Sequence, residues 1–324
     1  MNTRRFASIA KAAAALLALA CLSLLSACGG GGGTSSGSTA SKSTIQSVSA
    51  NGAMVPGDSS DAQMTSLKTA QAVVALEPPP TVTTAVTINC LGGGSAVLTR
   101  SGPASSLGNG VLDTGENYTL VYSDCKGSLG AATVNGTMTL AVTSASGTSV
   151  TVNTTTSNVT VALPLRTVTL NGSSTLTLSS TTTTTSAGPA TATTQHWTTP
   201  NVQVKSQRNV GGPLSVFNFV NVDLFRTINS VNGVIIGGSG QGSSTLEANL
   251  LLFTWRVTLA TIGLVTYGPT GLVTQGSWLI DLPDDRITVV ITPSAVSVAV
   301  DYGANGTIDV YFYFALDTLV NEAG

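Results

Sequence analysis

Charge is scarce in this chain, and histidine is nearly missing. Lys and Arg number 13 and Asp and Glu 15 in 324 residues, so 9% of positions are charged, where an ordinary soluble protein has about 25%. The surface must then be solvated largely by Ser, Thr and Asn, as suits an exported protein. His196 is the one histidine; without a second imidazole the usual transition-metal sets cannot form. A basic surplus is absent too, which excludes nucleic acid as a partner, because phosphate recognition needs clustered cations. Long apolar runs are confined to the first residues.

Those first residues carry a definite pattern. Arg4, Arg5 and Lys11 precede an uncharged run from Ala12 to Ala27 that closes on Leu25-Ser26-Ala27-Cys28. The run is too short to span a bilayer comfortably, and a positive start, an apolar middle and small residues before a cut define an export signal. The tetrapeptide resembles the lipobox of bacterial lipoproteins, in which the thiol is acylated and becomes the new amino terminus. That resemblance assigns residues 1–27 to a signal peptide and Cys28 to the lipid anchor, with the membrane as the partner it reaches. Residue 29 is Gly rather than Asp, which by resemblance to enterobacterial sorting points to the outer membrane. Cleavage removes three of the 13 basic residues and no acidic one, leaving a net charge of −5. Of the four cysteines, Cys21 leaves with the signal and Cys28 takes lipid, so Cys90 and Cys125 are expected to pair in the oxidising envelope.

Residues 28–56 are rich in Gly, Ser, Thr and small side chains and read as a flexible tether. Ser60-Asp61-Ala62-Gln63 has the form of a capping box, and Leu67, Ala70 and Val74 recur at helical spacing before Pro78-Pro79-Pro80. A short helix is expected at 60–76, within a segment 57–80 that ends in a proline linker. From 81 to 324 the pattern has period two. Val134, Met138, Leu140 and Val142 share one parity, and Thr133, Thr137, Thr139 and Thr143 the other. Similar alternation at 150–152, 159–163, 168–170 and 176–178 is broken at Ser146-Gly147 and Asn171-Gly172. Short polar turns between such segments impose antiparallel neighbours. Val134-Asn135-Gly136-Thr137 and Leu170-Asn171-Gly172-Ser173 form a loose repeat, read as two similar strands in one meander. Leu246–Trp255 is apolar on both parities and reads as one central, covered strand. Phe217, Phe219, Phe225, Phe253, Trp255, Trp278, Phe312 and Phe314 are expected to build a heavier C-terminal core. The expected fold is all-β: a large twisted antiparallel meander sheet, half-barrel or barrel, with one short N-terminal helix.

Little in this region looks catalytic. His196 reads as a surface histidine, because a Ser-His-Asp site needs a marked nucleophile. Gly237-Gly238-Ser239-Gly240-Gln241-Gly242 mimics a nucleophile elbow or phosphate loop, but β-patterned flanks make it a hairpin loop. Acidic residues gather at 109–116 and at Asp301–Asp309; Asp301, Asn305 and Asp309 occupy positions one, five and nine of a degraded calcium loop whose other strong ligands are missing. Trp278 with Asp281, Asp284 and Asp285 is the nearest approach to the paired carboxylates and aromatic platform of a glycosidase.

Cys90-Leu91-Gly92-Gly93-Gly94-Ser95, Asn109-Gly110 to Gly115-Glu116, Tyr118–Cys125 and Val134-Asn135-Gly136-Thr137 together resemble outer-membrane lipoproteins of Gram-negative proteobacteria that have no assigned activity. The resemblance is strongest over 88–140, and where that family usually has Gly-Asp this chain has Gly115-Glu116. It implies an envelope location and no cofactor. The leading functional expectation is a lipid-anchored envelope protein with a non-enzymatic role in interaction or structure. Carriage of a lipid or other apolar ligand in a half-barrel cavity is the second, and a glycan-directed hydrolase the third. An envelope protein or an apolar ligand is the expected partner.

Overall fold

The computed structural model describes residues 42–78, 85–103, 106–127, 132–211, 214–250 and 253–323, with backbone alone at 248–250, 253–255 and 322. Cys28 and the signal segment lie outside the described residues.

Fifteen antiparallel strands follow one another in a meander. They are β1 (Val86–Asn89), β2 (Ser95–Ser101), β3 (Asn117–Cys125), β4 (Thr133–Ser146), β5 (Ser149–Ala162), β6 (Arg166–Thr185), β7 (Gly188–Arg208) and β8 (Ser215–Val231). Then come β9 (Val234–Leu250), β10 (Phe253–Thr261), β11 (Val265–Tyr267), β12 (Val273–Asp281), β13 (Asp285–Ile291), β14 (Val296–Tyr302) and β15 (Val310–Phe314). Each pairs with its successor, except that the short β11 bridges β9 and β12 beside β10. Among the described residues β1 and β15 are not joined, so the sheet is open. Helices α1 (Lys42–Val74) and α2 (Leu316–Glu322) stand at the two ends of the chain.

The period-two pattern does what it predicted. In β4, Val134, Met138, Leu140 and Val142 are buried while Thr139 and Thr143 are exposed. The inner residues of every long strand face one trough, and α1 lies in it.

The helix differs from expectation in length and burial. It runs 33 residues from Lys42, where a tether had been expected up to residue 56, and Ser60-Asp61-Ala62-Gln63 sits in its middle instead of capping its start. Ser60 there donates to Gln195 Oε1 at 3.2 Å, and Gln63 Nε2 reaches Ser174 at 3.4 Å. Gly52, Pro56 and Gly57 make the segment a poor helix former in isolation, an interior proline alone costing about 3 kcal/mol. Packing overrides this: Ile45, Ala50, Ala53, Met54, Val55, Pro56, Ala62, Met64 and Leu67 are all buried. Small residues are what let strands close in on several sides, so the composition read as flexibility is a packing composition. Buried hydroxyls on α1 bond back to its own carbonyls, Ser59 to Val55 at 2.7 Å and Ser66 to Ala62 at 2.8 Å.

The helix crosses the strands rather than running along them. Lys42 lies over the rings of Phe312 and Phe314 on β15, Gly52 abuts Ile280 of β12, Arg226 of β8 reaches Gly57, and Tyr122 of β3 reaches Ser66. The 24 steps from Lys42 to Ser66 span about 36 Å at 1.5 Å each. The eleven steps from β15 back to β3 in the sheet order span about 53 Å along the sheet at roughly 4.8 Å per strand. The path along the sheet is the longer of the two, so the sheet curves round the helix.

Asn171-Gly172, expected as a turn, lies inside β6, and Asn135-Gly136 inside β4. Each marks a bulge. Asp124 on β3 and Asn158 on β5 take positive φ values of 49° and 50°, and each donates its backbone N–H at 2.7 Å to the side chain of Asn135 or Asn171 respectively. The following glycine is required, because a Cβ at Gly136 would meet Asn158 O at 2.1 Å and one at Gly172 would meet Asn201 O at 2.7 Å. The sequence repeat is therefore one bending device used twice, and such bulges increase strand bend and twist.

Two further expectations are corrected. Leu246–Trp255 is not one strand but the junction of β9 and β10, with Phe253 paired to Leu250; Leu251 and Leu252 lie outside the described residues. Phe225 is no core residue: it is exposed on the convex face.

Candidate functional site

A polar seam joins α1 to the floor of the trough. Arg166 of β6 pairs with Asp58, and its Nη2 also donates to the Val320 carbonyl of α2 at 2.7 Å. Arg226 of β8 pairs with Asp61 at 2.7 Å, donates to the Gly57 carbonyl at 3.2 Å and lies 3.9 Å from the centre of the Tyr267 ring. Asp58 and Asp61 are three apart on the helix, so both face the sheet. Gln195 and Trp197 of β7 complete the seam, Trp197 Nε1 donating to Ser174 at 3.0 Å. Burial pushes the Asp61 carboxyl up to about 7, the neighbouring Asp58 charge adding to the rise and Arg226 opposing it. Asp58 is raised for the same first reason. Sequence reasoning missed this seam: its residues lie scattered from 58 to 226, and only the fold gathers them.

The helix leaves little free volume in the trough. Between Gly52, Pro56 and Ser60 on one side and Ser244, Tyr267 and Trp278 on the other, the remaining cavity is about 30 Å³, room for one or two waters. A wider groove of about 470 Å³ opens beside the C-terminal half of α1, bounded by Lys68, Gln71, Asp113, Thr148, Leu178 and Thr193. Its lining mixes Ser, Thr and Gln side chains with the apolar Val111, Leu112, Ala145, Val150 and Leu178, and adds one ammonium and one carboxylate.

The residues singled out from sequence fall as follows. Cys90 and Cys125 form a disulfide with Cα atoms 5.5 Å apart, fastening the β1–β2 turn to the end of β3. His196 is on the convex face, 2.8 Å from Asp223 and stacked on Phe225 with ring centres 3.9 Å apart. Gly237–Gly242 is not a hairpin loop. It lies within β9 between β8 and β11, where a Cβ at Gly238 would meet Thr227 O at 2.3 Å and one at Gly242 would meet Asp223 O at 2.1 Å. Close strand approach, not a ligand, calls for glycine there.

The acidic turns are committed to the fold. Asp301 is buried and accepts from the backbone N–H of Asn305 at 2.9 Å and of Gly306 at 2.8 Å. Asn305 Oδ1 accepts from Thr307, and Asp309 Oδ2 from Tyr302. The oxygens that a calcium ion would need thus close the turn upon itself. Glu116 does likewise, accepting from Tyr118 at 2.8 Å and from the Asp113 N–H at 2.7 Å. Trp278 points into the trough, whereas Asp281 pairs with Arg286 and Asp285 accepts from Gly303. No shared cleft unites Trp278 with these carboxylates, and the glycosidase arrangement is not formed.

No group of three or more His, Cys, Asp or Glu is gathered in metal-binding proximity among the described residues. No helix among them is long and apolar enough to cross a membrane. No protein-family model, no curated protein and no solved structure matches this chain.

Proposed function

We propose that this chain is a lipid-anchored protein of the outer membrane, held by acyl groups on Cys28, whose described domain works by interaction or structure rather than catalysis. The observation that carries the functional half is the helix-filled trough. The polar groups that might have formed a site there, Asp58, Asp61, Arg166 and Arg226, fasten the helix to the sheet. The anchoring half rests on Leu25-Ser26-Ala27-Cys28 and the charged start before it. Several acyl chains, each methylene contributing about 0.8 kcal/mol, make such attachment durable.

Mass analysis of the amino-terminal peptide from membrane-recovered protein tests the anchor. The expected product begins at Cys28 and carries acyl chains; a free Cys28 thiol, or cleavage elsewhere, overturns it. Deletion of the gene tests the role: increased envelope permeability, or loss of a co-purifying envelope protein, is the expected outcome. Carriage of an apolar ligand ranks second: the cavity of about 30 Å³ at Gly52–Ser60 admits no acyl chain, and the groove of about 470 Å³ beside Lys68 and Gln71 sets charged and hydroxyl groups among its apolar ones.

A further inference from the structure

The sheet ends on a strand that is unprotected by the standards of natural edges. β15 reads Val310-Tyr311-Phe312-Tyr313-Phe314 and has β14 as its one neighbour among the described residues. Proteins blunt such edges with lysine, proline, bulges or very short strands, because unpaired backbone groups recruit another strand. β15 carries no charge, no proline and no glycine, and its β-branched and aromatic residues have high strand propensity. Tyr311 and Tyr313 stand 58% and 70% exposed on the convex face, opposite the small Ala299 and Ser297 of β14. The opposite edge, β1, has only four residues.

We propose that β15 pairs antiparallel with β15 of a second copy, about a two-fold axis at Phe312, continuing one sheet through both molecules. The strand is self-complementary in that register. Val310 faces Phe314 of the second copy and Tyr311 faces Tyr313, so each cross-strand pair is aromatic with aromatic or aromatic with β-branched, the pairings that favour sheet association. Within the paired strands no like charges meet, Asp309 falling opposite Ala315, while the Lys42 ammonium of each copy lies over Phe312 and Phe314 near the axis and weakens the contact. The symmetry closes at two copies, as an isologous contact must. A five-residue strand pair covers on the order of 300–400 Å² per copy, about half of the ~800 Å² in a durable interface. The contact is therefore weak and concentration-dependent, and confinement to a shared surface strengthens it.

The test is oxidative cross-linking in intact cells that co-express two distinguishably tagged full-length chains, one with Tyr311→Cys and one with Tyr313→Cys. The dimer is scored by the linked peptides, which must join position 311 of one chain to position 313 of the other, so the readout does not depend on whether Cys28 carries lipid. The mixed pair should give about tenfold more disulfide dimer than either variant alone, since positions 311 and 313 face each other directly, whereas 311 with 311, or 313 with 313, is a diagonal pair about 7–8 Å apart, too far for a disulfide without backbone movement. Adding Tyr311→Lys to the Tyr313→Cys chain, at a position exposed enough to leave folding intact, should abolish the product. Equal cross-linking in the single-variant cells overturns the two-fold register. No cross-link in any combination, as β15–β1 stacking would give because β1 carries no thiol, overturns self-pairing altogether.

Discussion

Replacing Ile45 by Ala separates a buried helix from a flexible leader. Ile45 is in the first turn of α1, inside the segment whose composition reads as a tether, and its exposure is 0%. The change removes three carbon groups, each worth about 0.8 kcal/mol in transfer out of water. An incompletely collapsed cavity adds about 1 kcal/mol at roughly 24 cal/mol per Å³. The expected loss is about 3–4 kcal/mol, a fall in melting temperature of about 5–7 °C for a domain of this size. Chemical unfolding followed by far-ultraviolet circular dichroism gives the number. Lys68→Ala, at an exposed position on the same helix, is the comparison and should stay within about 0.5 kcal/mol. A loss below about 0.5 kcal/mol for Ile45→Ala would mean that the amino-terminal half of α1 is not packed in the trough, and the account of the fold would fail with it.

Stability should decline as pH rises from about 4 to 7, because folded Asp61 titrates near 7 while the unfolded side chain releases its proton near 3.9. The folded state holds the extra proton in that window. The effect on the unfolding midpoint has a ceiling of about 4 kcal/mol, and Asp61→Asn should flatten it; a stability that rises over the same range refutes the assignment. Joint replacement of Cys90 and Cys125 by Ser should cost about 3.5–4 kcal/mol through the loop of 35 residues it opens, read from the denaturant midpoint. Gly136→Ala should destabilise by more than the roughly 1 kcal/mol of an ordinary glycine change, since its Cβ would strike Asn158 O at 2.1 Å; thermal melting decides, and an unchanged midpoint would mean that the bulge relaxes freely.

The strands were legible because their code is local. Thr alternating with Val or Leu can bury one face only as a strand, and the chain turns at Gly147-Thr148, one residue on from the expected Ser146-Gly147. The disulfide followed from counting cysteines. The helix was hidden from residue 42 to about 59, because Ala, Gly and Ser in a sheet-lined trough look the same in sequence as Ala, Gly and Ser in a linker. What distinguishes them is the sheet wall that closes over the helix, a property of residues as far as 270 positions away, as Phe312 is from Lys42. Asn171-Gly172 misled for a related reason: Asn-Gly favours positive φ, and a bulge and a hairpin turn both use it. The candidate site was the least legible part. Arg166, Arg226, Asp58 and Asp61 carry no motif and come together only when strands β6 and β8 cross the helix.

The direction in which α1 lies has a consequence for how the chain assembles. Lys42, in the first residues of the helix, rests on Phe312 and Phe314, about 270 positions later, so the earliest element closes against the last strand. Delivered amino terminus first, the half of α1 from Lys42 to Gly57 has a proline and two glycines against it and no surface to stabilise it until the later strands of the meander are in place. Contacts of such long range make folding slow, and the exposed inner wall of the half-built sheet is a hazard throughout. A chain shortened by its final two strands should therefore lose order at its beginning, the two termini failing together.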